Sequence, residues 1–111
     1  MATRIINAAV ALSDTNLTTV YTCPSSHRAI VKELWLTNVD GSSAVDATIK
    51  WTDTSASATF AIISTKSVAA DSYLRIEGAN IVLEATDILK AQAGAADDLT
   101  VSAFIEEIYT P

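Results

Sequence analysis

Residues 45–51 (VDATIKW) alternate without a break, with Val45, Ala47, Ile49 and Trp51 in one phase and Asp46, Thr48 and Lys50 in the other. Successive side chains of an extended strand point to opposite faces, so this period of two predicts a strand with one face buried and one wet. Residues 99–105 repeat the pattern, setting Leu99, Val101, Ala103 and Ile105 against Thr100, Ser102 and Phe104. Phe104 thus stands on an otherwise polar face, as edge packing or as a contact residue. In residues 27–38 (HRAIVKELWLTN) both phases are mostly apolar: Ile30, Lys32, Leu34 and Leu36 share one, Ala29, Val31, Glu33 and Trp35 the other. Such a run predicts a strand covered on both faces, by a second layer of the domain or by a neighbouring molecule.

Turn-forming clusters punctuate these runs: SDTN at 13–16, PSS at 24–26, DGSS at 40–43, DTSAS at 53–57, AADS at 69–72, EGAN at 77–80 and GAADD at 94–98. Short segments rich in Val, Ile and Thr lie between them, which predicts an all-β chain folded as an antiparallel sandwich. Asp40-Gly41 lies between two apolar runs and reads as a tight hairpin joining adjacent antiparallel strands, with Trp51 toward the core and Trp35 outward. Residues 80–93 read as two strands about an EATD turn; Ile81, Ala85, Ile88 and Leu89 also fit a helical stripe capped by Gly94. Residues 1–16 read as an N-terminal arm and first strand and residues 17–111 as the sandwich, one domain overall, since 111 residues supply one core. Arg4 ahead of a short apolar run superficially suggests a secretory leader, but Asn7 interrupts the run and a first strand is the better reading.

Thirteen acidic residues against seven basic ones give a net charge of −6. Nucleic-acid affinity rests on Lys and Arg neutralising phosphates, so this balance disfavours DNA, RNA and anionic membrane surfaces as partners. No apolar run approaches the roughly 18 to 20 residues needed to cross a bilayer as a helix, and a soluble chain is expected. Cys23 is the one cysteine, so packing rather than an intrachain disulfide must hold the fold.

Candidate chemistry is sparse. Cys23, Ser25, Ser26 and His27 cluster in sequence, but they read as a loop entering a strand, with no third member to orient a base. A Cys-His pair supplies two of the four ligands a structural zinc needs. Asp40, Asp46, Asp97 and Asp98 lack calcium-loop spacing and read as solvated loop carboxylates. Glu106 and Glu107 are neighbours on a strand, point to opposite faces, and make a poor acid-base pair. The three glycines, Gly41, Gly78 and Gly94, are too scattered for a nucleotide-binding loop. No catalytic residue, metal or cofactor is expected.

Thr19, Val20, Tyr21 and Pro24 lead into an apolar strand from Ile30 that closes on Asn38; Leu83 with Asp87 and Ile88 follows, then a last strand from Val101 to Ile108. These elements, which take in most of the chain from Leu17 onward, resemble small virion proteins of tailed bacteriophages. The resemblance implies a jelly-roll-like sandwich made in the host cytoplasm and acting, without enzymatic activity, as a decoration or cement protein on the outer surface of the head. It implies the major capsid protein and further copies of the chain, as a homotrimer, as partners, with no nucleic acid, membrane or small-molecule substrate. A neck, tail or fibre component that binds a receptor or glycan is the alternative. On this reading Ile5, Ile6 and Val10 of the N-terminal arm, with Trp35, Phe104 and Tyr109, are the candidate contact residues.

Overall fold

Two four-stranded antiparallel sheets face each other. The computed structural model describes residues 2–111, apart from the side chain of residue 79. Its strands are β1 (Thr3–Leu12), β2 (Thr18–Thr22), β3 (His27–Asn38), β4 (Val45–Asp53), β5 (Ala58–Val68), β6 (Tyr73–Leu83), β7 (Ile88–Ala93) and β8 (Leu99–Tyr109). The first sheet runs β1-β8-β3-β6 and the second β2-β7-β4-β5. Every link except β4 to β5 carries the chain from one sheet to the other, which is the jelly-roll form of the sandwich. The expected all-β, single-domain sandwich is what the chain forms.

The core follows from the alternation. Leu99, Val101, Ala103 and Ile105 of β8 meet Val45, Ala47 and Ile49 of β4 and Leu89, Ala91 and Ala93 of β7, all buried. Trp51 is half-buried against this core and stacks beside Phe60, ring centroids 5.4 Å apart. β1 pairs with β8 over ten residues without a register shift, so the N-terminal strand is an integral edge of the first sheet.

Three local expectations need correction. β3 is not apolar on both faces: Ala29 and Val31 point inward before Lys32, Leu34 and Leu36 after it, and the register shifts between Val31 and Glu33 against both neighbours. One extra residue at a bulge reverses the side-chain phase, so a strand with one buried face displays apolar residues in both phases of its sequence. Asp40-Gly41 does not close a hairpin, because β3 and β4 belong to different sheets. Gly41 has no positive φ; it sits where a Cβ would come 3.3 Å from the Asp71 carboxylate. EGAN at 77–80 is no turn but an irregularity inside β6, opposite the β3 bulge, with positive φ at Gly78 and Asn80. The EATD turn is correct, and the two strands it separates lie in opposite sheets.

Asn38 fastens the end of the sandwich where β3 crosses over. Its side-chain nitrogen donates to the carbonyls of Ser43 and Val68 at 2.9 and 3.0 Å, and its oxygen accepts from the Asp40 N–H at 2.9 Å. At the opposite end the buried Asp87 carboxylate accepts from the N–H groups of Glu84 and Thr54, tying the EATD turn to the β4–β5 loop.

Candidate functional site: the outer face of the first sheet

The outward phases of β1, β8, β3 and β6 make one continuous surface. Ile5, Asn7, Ala9 and Ala11 come from β1, Ser102, Phe104, Glu106 and Ile108 from β8, Ile30, Glu33 and Trp35 from β3, and Tyr73, Arg75, Glu77 and Val82 from β6. Large apolar side chains stay in water here: Ile5 is 74% exposed, Tyr73 57%, Val82 51% and Phe104 41%. The outward phase of β4 in the second sheet carries Asp46, Thr48, Lys50 and Thr52 instead. Contiguous exposed apolar surface of this kind marks a contact surface more often than a solvent face.

Trp35 is the fixed centre of the surface. Its indole Nε1 donates to Glu33 Oε1 at 2.9 Å, its ring lies 5.1 Å from that of Tyr73, and the Arg75 guanidinium sits over it at 4.9 Å. Glu33 and Glu77 are paired directly across β3 and β6, where like charges repel. Arg75 resolves the conflict by bonding Glu33 at 2.5 Å and Glu77 at 3.0 Å. The Arg75 bond, joined by Trp35's, holds the Glu33 carboxyl below its usual range, and the same Glu33 bond raises Arg75. The indole therefore has its polar edge satisfied and its ring held in place, which lowers the ordering cost of a contact made through it.

The six residues singled out from the sequence do not share one surface. Ile5, Trp35 and Phe104 lie on the outer face of the first sheet. Ile6 and Val10 are in the inward phase of β1 and pack, half-buried, against the core. Tyr109 sits at the end of β8, tilted against His27 with ring centroids 5.3 Å apart. Tyr73, Arg75 and Val82 were missed, because reading EGAN as a turn hid the long β6 that carries them.

The Cys-Ser-His segment is not arranged for nucleophilic attack. Cys23 is buried, and its Sγ faces the backbone carbonyl of His27 at 3.5 Å rather than a ring nitrogen. Burial, then the nearby Glu107 and Asp87 carboxylates, push the thiol up to about 11. The His27 Nδ1 is engaged with the Ser25 carbonyl at 2.8 Å. Among the described residues no group of three or more His, Cys, Asp and Glu could hold a metal ion.

Glu107, read from the sequence only as half of a poor acid-base pair, is a buried polar centre. Only 2% exposed, it accepts a bond from Arg4 Nε at 2.7 Å and another from the Tyr21 hydroxyl. Arg4 is on β1, Tyr21 on β2 and Glu107 on β8, so the cluster links the two sheets at their β1–β2 edge. Burial works against the ionised carboxyl, but the bonds from Tyr21 and Arg4 together with Arg4's charge outweigh it, and the pKa lies below the ordinary value of 4.5. Burial first, then the bond to Glu107, keep Tyr21 protonated far above the usual tyrosine range.

No family model matches the chain, and no curated protein matches it by sequence. Solved structures do. A subunit of Bacillus endospore appendages, described as disulfide-linked pili, is 13% identical with a TM-score of 0.58, covering 99% of this chain and 88% of that one. The Drosophila NLP core, studied for pentamer formation and histone binding, is 6% identical with a TM-score of 0.53, covering 95% and 98%. A chain of the cyanophage Pam1 capsid is 17% identical and covers 98% and 85%, but its TM-score of 0.49 gives it no weight. At such identities the likeness shows the jelly roll and nothing about activity, since one fold hosts many functions.

Proposed function

We propose that this protein is a non-enzymatic structural component of a bacteriophage virion, which binds the outside of the head and bridges neighbouring capsid subunits. The observation that carries this reading is the exposed apolar surface centred on Trp35, with its ring already fixed by Glu33, Tyr73 and Arg75. Aromatic side chains held in place are the usual anchors of protein interfaces. A net charge of −6 suits the outer surface, away from packaged DNA. The resemblance of Thr19, Val20, Tyr21 and Pro24, of Ile30 to Asn38, of Leu83 with Asp87 and Ile88, and of Val101 to Ile108 to small virion proteins supports the capsid protein as partner and three copies as the assembled unit. The mechanism is burial of apolar surface, about 25 cal/mol per Å² before the costs of association.

The test is co-sedimentation with purified heads, with immunogold labelling to locate the bound protein. Gold spread evenly over heads, and binding weakened at least tenfold by Trp35→Ala or Tyr73→Ala in folded protein, is the expected result. Unchanged binding by both variants would remove this face as the contact. Label at one vertex or along the tail would replace head decoration with a neck, tail or adhesion role. Light scattering of the free and bound protein checks the three-copy unit, which a monomer or dimer in both states would overturn.

A further inference from the structure

We infer that the outer face of the second sheet carries a binding site for a neutral hexopyranose, in the cavity between β4, the β5 bulge and the start of the loop after β7. The cavity measures about 320 Å³. Ligand pockets begin at roughly 300 Å³, so one sugar ring is the size of guest it suits.

Its floor and walls are built by a departure from regular pairing. β4 and β5 shift register between Ala47 and Ile49, which leaves Ser64 and Thr65 of β5 without partners in the ladder. Thr65 folds over the outward side of β4 with φ 49° and donates its N–H to Thr48 Oγ1 at 3.0 Å. A β-branched residue at positive φ is a backbone outlier, and such residues persist only where the surroundings hold them. Thr48, on the water-facing phase of β4, is left only 6% exposed. On the other side Gln92 Nε2 donates to the Thr15 carbonyl at 2.9 Å and pins the β1–β2 loop against the sheet. Gly94 closes the end, its N–H on the Asp46 carbonyl at 2.9 Å and its Cα so near β4 that an added Cβ would meet Asp46 Cβ at 3.4 Å.

The chemistry facing the cavity selects the guest. The Asp46 carboxylate brings acceptors only, and Gln92, with one amide hydrogen on Thr15, offers its second amide hydrogen and its carbonyl oxygen. The hydroxyls of Thr15 and Thr65 can donate and accept, while that of the nearly buried Thr48, already accepting from Thr65, adds a donor. A set that both donates and accepts, with one carboxylate among amide and hydroxyl groups, fits a ligand with hydroxyls on adjacent carbons. The carboxylate turns away sulfate, phosphate and acidic sugars, and a single carboxylate is too few for a calcium site. Among the described residues no aromatic ring lines the cavity, so the sugar ring is recognised by its hydroxyl stereochemistry and held weakly, with Kd on the order of 1 mM.

The experiment is an amide NMR titration of the intact chain with glucose, galactose and mannose in turn. Saturable shifts confined to the amides of residues 46, 48, 65 and 92, with one epimer preferred, are expected. Asp46→Asn should weaken that epimer at least tenfold with the melting temperature unchanged, because this exposed carboxylate makes no side-chain bond among the described residues. Trp35→Ala, on the opposite sheet, should leave the titration untouched, so the site and the capsid contact stand or fall separately. Shifts that never saturate, that are equal for all three epimers, or that survive Asp46→Asn would overturn the site.

Discussion

Replacing Glu107 with Gln is the sharpest probe of how this sandwich is held closed. The carboxylate is almost wholly buried and its partners come from both sheets, Tyr21 from β2 and Arg4 from β1. A hydrogen bond to a charged group contributes about 1.5 to 3 kcal/mol, and the Tyr21 bond, away from water, sits in that range. Arg4 is largely exposed, so its ion pair is screened and adds less than about 1 kcal/mol. Gln keeps the shape and can still accept from Tyr21, so Glu107→Gln should cost about 1 to 2 kcal/mol. Tyr21→Phe, which leaves the buried carboxylate with the exposed arginine as its partner, should cost about 2 to 3 kcal/mol. Arg4→Ala should cost least. Urea denaturation at neutral pH measures all three.

The same group sets a pH dependence of known sign. Its carboxyl is held below 4.5 in the folded chain. Its contribution is therefore complete above about pH 4.5 and is lost as pH falls through the lower folded value. Wild type should lose stability steeply on that acid limb, and Glu107→Gln should lose visibly less. If the two lose stability in parallel, or if Arg4→Ala costs more than Tyr21→Phe, the placement of the stabilising bond between β2 and β8 is wrong.

Other consequences can be checked in the same way. Asn38→Leu removes the side-chain bonds to Ser43, Val68, Ala69 and Asp40 at the crossover and strands the Val68 carbonyl and the Asp40 N–H, so it should cost at least about 2 kcal/mol by urea denaturation. Deleting Lys32 would remove the extra residue of the β3 bulge and restore plain alternation, so that Ala29, Val31, Leu34 and Leu36 all still face inward against β8, and the expected outcome is a folded variant by circular dichroism and proteolysis. An unfolded deletion variant would show that β6, whose residues 78–80 lie opposite the bulge, requires it. Cys23, buried with its thiol raised to about 11, should resist aromatic disulfide reagents at pH 8 until denaturant is added.

What the residues disclosed was the local period, and what they withheld was the pairing. The alternation through 45–51 and 99–105 gave the buried phases of β4 and β8 correctly, because strand geometry alone couples sequence parity to face. It could not separate a bulged strand from one covered on both sides, since one inserted residue produces the same mixture of phases in β3. Asp40-Gly41 misled for a related reason: a tight turn has the same local chemistry whether the chain stays in its sheet or crosses to the other. Glu107 was legible in principle, as a charge in the phase of Leu99, Val101, Ala103 and Ile105, and a charge in a core phase announces a buried partner. The apolar surface was half legible. Phe104 betrayed itself by standing in polar company and Trp35 was read as outward from its place opposite Trp51, whereas Tyr73, Arg75 and Val82 depended on a strand that glycine and asparagine disguised as a turn.

The topology makes the surface reading separable from stability. Because all but one connection passes between the sheets, neither sheet can peel away without breaking the other's core, and unfolding is expected to be cooperative. The outward side chains of the first sheet contribute little to that core. Trp35→Ala and Tyr73→Ala therefore leave the buried phases of β3 and β6 intact, and a loss of binding in either variant reports on contact rather than on folding. Arg75→Ala is different. It leaves Glu33 and Glu77 opposed across β3 and β6 without their common partner, so it should weaken both the fold and the surface, and its two effects should diminish together as pH falls and the glutamates are neutralised. A binding defect of Arg75→Ala that persists unchanged at acid pH would mean that its guanidinium meets the partner itself.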